Sequence, residues 1–126
     1  MKKALTYTAL GCTLALAAVH LEAAPGTKET VMGEVIDVAG YAMRDSRGEE
    51  AAEAGRFRAD NGFPVGILTD DGEVYIAVYK NPAPASSLAN ANKILRELMG
   101  KQVVVRGLVY RVQGVNVVQV SVVSEM

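Results

Sequence analysis

The chain has 126 residues, with 13 Lys and Arg, 14 Asp and Glu, one His, one Cys and no Trp. That length allows one domain, and 50% hydrophobic with 21% charged residues predicts a packed core rather than a disordered chain. A net charge of −1 argues against a protein that neutralises a phosphate backbone, and a single Cys and His exclude a disulfide framework and a Cys/His zinc site.

Met1-Lys2-Lys3 is a short positive segment, followed by Ala4 to Leu21, whose one strongly polar member is His20. This is the layout of a secretory signal peptide, with small residues at Ala15-Leu16-Ala17 and Leu21-Glu22-Ala23 as cleavage sites. We assign residues 1–23 to the signal and expect a periplasmic or secreted product that does not insert in a membrane after cleavage. An uncleaved anchor is the rival, because eighteen residues just span a bilayer. Gly11-Cys12 has the form of a lipoprotein site, but the apolar run continues past Cys12, so lipidation ranks below cleavage. Cleavage removes the only His and the only Cys, and leaves 11 basic and 13 acidic groups.

Residues 24–29 read as a leader to a domain over 30–124. Thr30 to Val38 is rich in β-branched residues and predicts a strand, with Gly33 as a bulge or bend. Residues 42–62 form a charged insertion, helical from Glu49 to Asn61 between Gly48 and Gly62. Phe63 to Leu68 and Glu73 to Tyr79 are two strands joined at Asp70-Asp71-Gly72, a hairpin turn. Asn81-Pro82-Ala83-Pro84 breaks the sheet, and Ser86 or Ser87 is placed to cap a helix. Leu88, Ala91, Ile94, Leu95, Leu98 and Met99 share one helical face, which Gly100 ends. Lys101 to Val112 and Val115 to Val123 form a second hairpin across Gln113-Gly114.

The resulting order, strand, insertion, two strands, helix, two strands, is that of the OB-fold, a five-stranded Greek-key barrel. A β-sandwich is the competitor, and it does not need the helix over 86–100. In the OB reading Leu88, Ile94, Leu95 and Leu98 plug the open end of the barrel.

Four pieces fall in one order: Gly33-Glu34-Val35-Ile36-Asp37, Gly62-Phe63-Pro64-Val65-Gly66-Ile67-Leu68, Asp71-Gly72-Glu73-Val74-Tyr75 and Val103-Val104-Val105-Arg106-Gly107. Together they resemble a group of small exported bacterial OB-like proteins of largely uncharacterised role. In that pattern "GEVVD" precedes a Cys-Tyr pair, then a Gly-rich segment with one His and two Cys, then "GxPxGLL". Here the Cys of the pair falls on Gly40, beside Tyr41, and the others fall near Ala51, Ala54 and Arg58. The resemblance therefore implies the scaffold without the thiol and imidazole groups. The exported OB-fold haem chaperone is set aside, since it depends on a His in its mature domain.

Nucleophilic catalysis needs a nucleophile and an activating base, and no such set is visible, so we expect no enzyme and no catalytic residue. Ser86 and Ser87 read as caps, Asp70 and Asp71 as turn residues rather than Ca²⁺ ligands, and no phosphate-cradling glycine loop is present. Glu34 and Asp37 fall on opposite faces of a regular strand, with Asp37 placed to accept backbone N–H groups of the insertion. Met32, Met43, Met99 and Met126 are the only sulfur after cleavage, so no transition metal, haem or other cofactor is expected. Nucleic acid is not expected either, because the aromatics and cations are too sparse for a stacking groove. The candidate binding surface is the insertion, with Arg44, Arg47, Arg56 and Arg58, together with Tyr41 and the face of the second and third strands carrying Tyr75 and Tyr79. The function expected is a binding or adaptor module for an unknown protein or small molecule of the cell envelope. The alternative is an assembly protein, a homo-oligomer among the possibilities, pairing through the apolar hairpin Val103 to Val123 and an exposed last strand.

Overall fold

The computed structural model describes residues 25–79 and 84–126. The signal segment with Cys12 and His20, the Asn81-Pro82-Ala83 break and Lys80 lie outside the described residues, as does the side chain of Ser86. In chain order come β1 (Thr27–Asp37), α1 (Val38–Arg44), a 3-10 turn (Glu49–Ala51), α2 (Ala52–Asp60), β2 (Val65–Leu68), β3 (Val74–Tyr79), α3 (Pro84–Leu95), a second 3-10 turn (Arg96–Leu98), β4 (Gln102–Val112) and β5 (Val115–Glu125). The five strands close into a mixed barrel in the order β1-β2-β3-β5-β4. Neighbours are antiparallel except β3 and β5, which run parallel.

Alternating residues fill the interior. Val103, Val105 and Val109 on β4, Val118 and Val120 on β5, and Tyr75 and Ala77 on β3 are all buried, as a side-chain period of two requires. Leu95 from α3 and Met99 join the same core. Each fully buried Val, Ile or Leu contributes roughly 1.5–3 kcal/mol.

Closure depends on β1, which serves two partners. Residues Thr27–Glu34 pair with β4, and Glu34–Asp37 pair with β2. Gly33 stands where the strand changes partner, and a Cβ there would strike the carbonyl oxygen of Leu68. Gly33 is therefore a close approach of backbones and not the expected bulge, for it pairs in register with Val103. The register shift falls instead between Arg106 and Gly107, against β5.

Other expectations need correcting. Thr27 to Glu29 are no leader, because they pair with Val109 to Gly107 as the first rungs of β1. Val38 opens α1 rather than closing the strand, and Phe63 and Pro64 precede β2. Ser87 does not cap α3; it lies inside it, buried, and its hydroxyl donates to the Tyr79 carbonyl. Ile94 is 38% exposed and Asn92 only 3%, so the buried stripe of α3 is turned toward Asn92. The Asn92 side-chain amide donates to the carbonyls of Ala59 at 3.1 Å and Phe63 at 2.7 Å, joining α3 to the insertion. The last strand is not an exposed edge along Val117–Val120, where it pairs with both β3 and β4.

At the end of the barrel where β1 begins, Arg111 donates to both carboxylate oxygens of Glu29 at 2.7 and 2.9 Å, and to the Tyr75 hydroxyl at 2.9 Å. That hydroxyl in turn donates to Glu73 at 2.7 Å. The Arg111 hydrogen bond holds the Glu29 carboxyl below its ordinary value of 4.5, and burial, then the Glu73 hydrogen bond, pushes the Tyr75 hydroxyl up.

Two outcomes are expected. Gly33→Ala forces apart the carbonyl of Leu68 and β1, and it lowers stability by about 2–3 kcal/mol in urea unfolding. A carboxyl held below its ordinary value contributes stability above that value and loses it as pH falls through the lowered one. The urea midpoint of the native chain therefore falls as acidification passes below the ordinary carboxyl value of 4.5, and it falls less in Arg111→Met, where Glu29 has no guanidinium to hold its proton off.

Candidate functional site

At the opposite end of the barrel, where β1 finishes, the insertion folds back over the strand and leaves a pocket of about 420 Å³. Its inner wall is Glu34 to Asp37 of β1. Its outer wall is the Arg44–Gly48 loop and the start of α2, and Met99-Gly100 forms one side. Three local features hold the walls. The Gly48 amide donates to Glu34 at 2.6 Å, the Gly100 amide donates to the Val35 carbonyl at 2.8 Å, and Arg58 reaches from α2 to Asp37.

The Arg58–Asp37 pair is the electrostatic centre. A guanidinium nitrogen of Arg58 donates to Asp37 Oδ2 at 2.7 Å, with 5% of the Asp37 side chain exposed and 25% of Arg58. A carboxylate so deeply buried persists only with a charged or hydrogen-bonded partner. Its other oxygen, Oδ1, is buried with no hydrogen-bond partner among the described residues. Gly40 of α1 passes directly over the pair, and a Cβ there would fall 3.1 Å from the Arg58 guanidinium and collide with Asp37 Oδ2. Only glycine leaves room for the ion pair.

Glu34 and Asp37, expected on opposite faces, both line the pocket, because the insertion wraps around the end of the strand. The role expected of Asp37 falls to Glu34. Glu34 takes the backbone N–H of the insertion, and Asp37 takes a side chain.

Of the candidate surface, Arg44, Arg47 and Arg58 meet at this pocket. Arg47 lies 3.6 Å from the exposed Asp45, and no ion-pair partner of Arg44 lies among the described residues. Tyr41 is half-buried on α1, and Arg56 is half-buried on α2; neither lines the pocket. The two tyrosines of β3 are not brought here. Tyr75 is 4% exposed, its ring inside the barrel and its hydroxyl at the far end with Arg111. Tyr79 is 37% exposed at the close of β3. The expected face of β2 and β3 offers little, since all four residues of β2 are buried.

Sequence reasoning missed two contributors, Asp37 as an ion-pair partner and Asn92 as the tie to α3. The signal for the second was an amide on an apolar helical stripe. For the first it was an Asp ending a β-branched run ahead of an arginine-rich insertion. Ala51, Ala54 and Arg58, near which the resembled pattern carries His and Cys, line the pocket, and Gly40 abuts Asp37 and Arg58. No cluster of three His, Cys, Asp or Glu stands among the described residues, and none of their helices is long and apolar enough to cross a membrane. No protein family, curated protein or solved structure matches this chain.

The ion pair makes a direct prediction. Arg58→Ala leaves Asp37 buried without its counter-charge and lowers stability by about 3 kcal/mol in chemical unfolding. The double variant Asp37→Asn with Arg58→Met, which removes both charges, costs less than Arg58→Ala alone.

Proposed function

We propose that this chain is an exported, non-enzymatic binding module on an OB-like barrel, and that the pocket beneath the insertion takes a small ligand bearing an anionic group. The observation that carries the reading is the pairing state of the charges at the pocket. Glu34 is occupied by the Gly48 amide and Asp37 by Arg58, whereas Arg44 has no ion-pair partner among the described residues and Arg47 only a loose one. Asp45 and Glu50, the latter with no ion-pair partner among the described residues, also line the pocket, so the reading rests on the donor forks of Arg44 and Arg47, whose geometry suits carboxylate or phosphate. Its volume fits a small molecule.

Support for the OB-like assignment is the strand order with a parallel β3–β5 pair and the helix between the third and fourth strands. Export rests on the sequence of residues 1–23. An assembly role remains the second reading, favoured by Val112, Val115 and Val122 at 42%, 55% and 57% exposure on the C-terminal hairpin; a strict monomer in sedimentation removes it.

Calorimetric titration with succinate, citrate and inorganic phosphate tests the first reading. At least one is expected to bind with one-to-one stoichiometry, and Arg44→Ala with Arg47→Ala weakens it about tenfold or more, as loss of charged hydrogen bonds implies. No binding by any of the three, or binding indifferent to both arginines, overturns it.

A further inference from the structure

Beside the pocket, on the outer side of α2, lies a second groove of about 600 Å³ walled by Phe57 and Phe63. Phe57 is 70% exposed and Phe63 is 46% exposed. The inward face of α2 is made of Ala52, Gly55 and Ala59, small residues that let the helix lie close to the barrel. Its one large apolar side chain therefore points into solvent. Glu53 stands four residues before Phe57, on the same helical face, and Glu50 borders the same groove. Neither carboxylate has an ion-pair partner among the described residues. Arg58 also borders the groove, but its charge is turned toward Asp37.

From this juxtaposition we infer that the groove takes a Lys or Arg side chain presented by an extended segment of a partner protein. The aromatic faces carry negative quadrupole density that attracts a cation, and the two carboxylates supply the counter-charge. The long aliphatic stem of Lys or Arg packs on the phenyl rings while its head stays hydrated. A neutral apolar partner would bury Glu50 and Glu53 without compensation. An anionic lipid surface would be repelled by them. Glu50, Ala54 and Arg58 border both this groove and the anion pocket, whereas Arg44 and Arg47 border the pocket alone.

The test is an amide-resolved NMR titration of the purified protein with a hexa-arginine peptide, with hexa-glutamate and hexa-serine peptides as controls. Hexa-arginine is expected to give saturable shifts centred on Ala54, Phe57, Asn61 and Phe63, and the controls none. Phe57→Ala weakens binding about two- to fivefold, the range for an exposed cation–aromatic contact. The pair Glu50→Gln with Glu53→Gln, which leaves both rings in place, weakens it at least as much. Arg44→Ala with Arg47→Ala leaves it unchanged, which separates this result from that of the anion pocket. Shifts spread over the whole acidic surface, equal response to hexa-serine, indifference to Phe57→Ala, or equal affinity for phosphatidylglycerol vesicles each overturn the inference.

Discussion

A carboxylate that ends a barrel strand with 5% of its side chain exposed has to be matched where it sits, and much of what distinguishes this molecule follows from matching Asp37. The match comes from Arg58, 21 residues further along the chain, so the insertion between β1 and β2 cannot hang free as a loop. It must turn back over the barrel end, and α1 must pass the ion pair through a residue without a side chain, Gly40. The pocket is the space left between strand and insertion once those demands are met. An ion pair of this kind is weak as a source of stability, because desolvation offsets most of its attraction. Its value here is positional: it selects one placement of the insertion over others.

The two ends of the barrel solve different problems with similar chemistry. Where β1 begins, Arg111, Glu29, Tyr75 and Glu73 form a chain of hydrogen bonds that stays close to solvent and closes the rim. Where β1 finishes, Asp37 is buried beneath a half-buried Arg58, and the outer arginines of the insertion are left with unused donors. The same residue types therefore make a seam at one end and a recess at the other. The difference is the insertion, which excludes water from Asp37 but not from Arg44 and Arg47.

The barrel was legible in the sequence because its signals are local. Alternating β-branched residues, Asp71-Gly72 and Gln113-Gly114 at the hairpin tips, and an apolar stripe from Leu88 to Met99 each act within a few residues. Errors arose where a distant partner decides the outcome. Thr27 to Glu29 look like a leader until β4 lies beside them, and Gly33 looks like a bulge until β2 crosses it. Val38 continues a β-branched run, yet α1 starts there because Asp37 and Gly40 must face Arg58. The buried face of α3 turned away from Ile94 because the Asn92 amide answers two carbonyls of the insertion. For the site, the arginines of the insertion were visible as a charge cluster. Their convergence with Glu34 and Asp37 was not, since strand alternation predicts opposite faces and only the wrap of the insertion reunites them. Tyr75 failed as a surface because the parity it shares with Ala77 is that of the barrel interior, while Tyr79, exposed at the close of β3, does not line the pocket.

These contacts preform the pocket, and native-state hydrogen exchange reads that directly. The Gly48 amide, whose one hydrogen-bond partner among the described residues is the Glu34 carboxylate, is predicted to exchange far more slowly than a solvent-exposed loop amide, and Arg58→Met is predicted to abolish its protection while the β4–β5 amides stay protected. If Gly48 and the amides of α2 exchange at unfolded rates in the unsubstituted chain while the barrel remains protected, the insertion is not held against Asp37, and the pocket does not exist as a binding site.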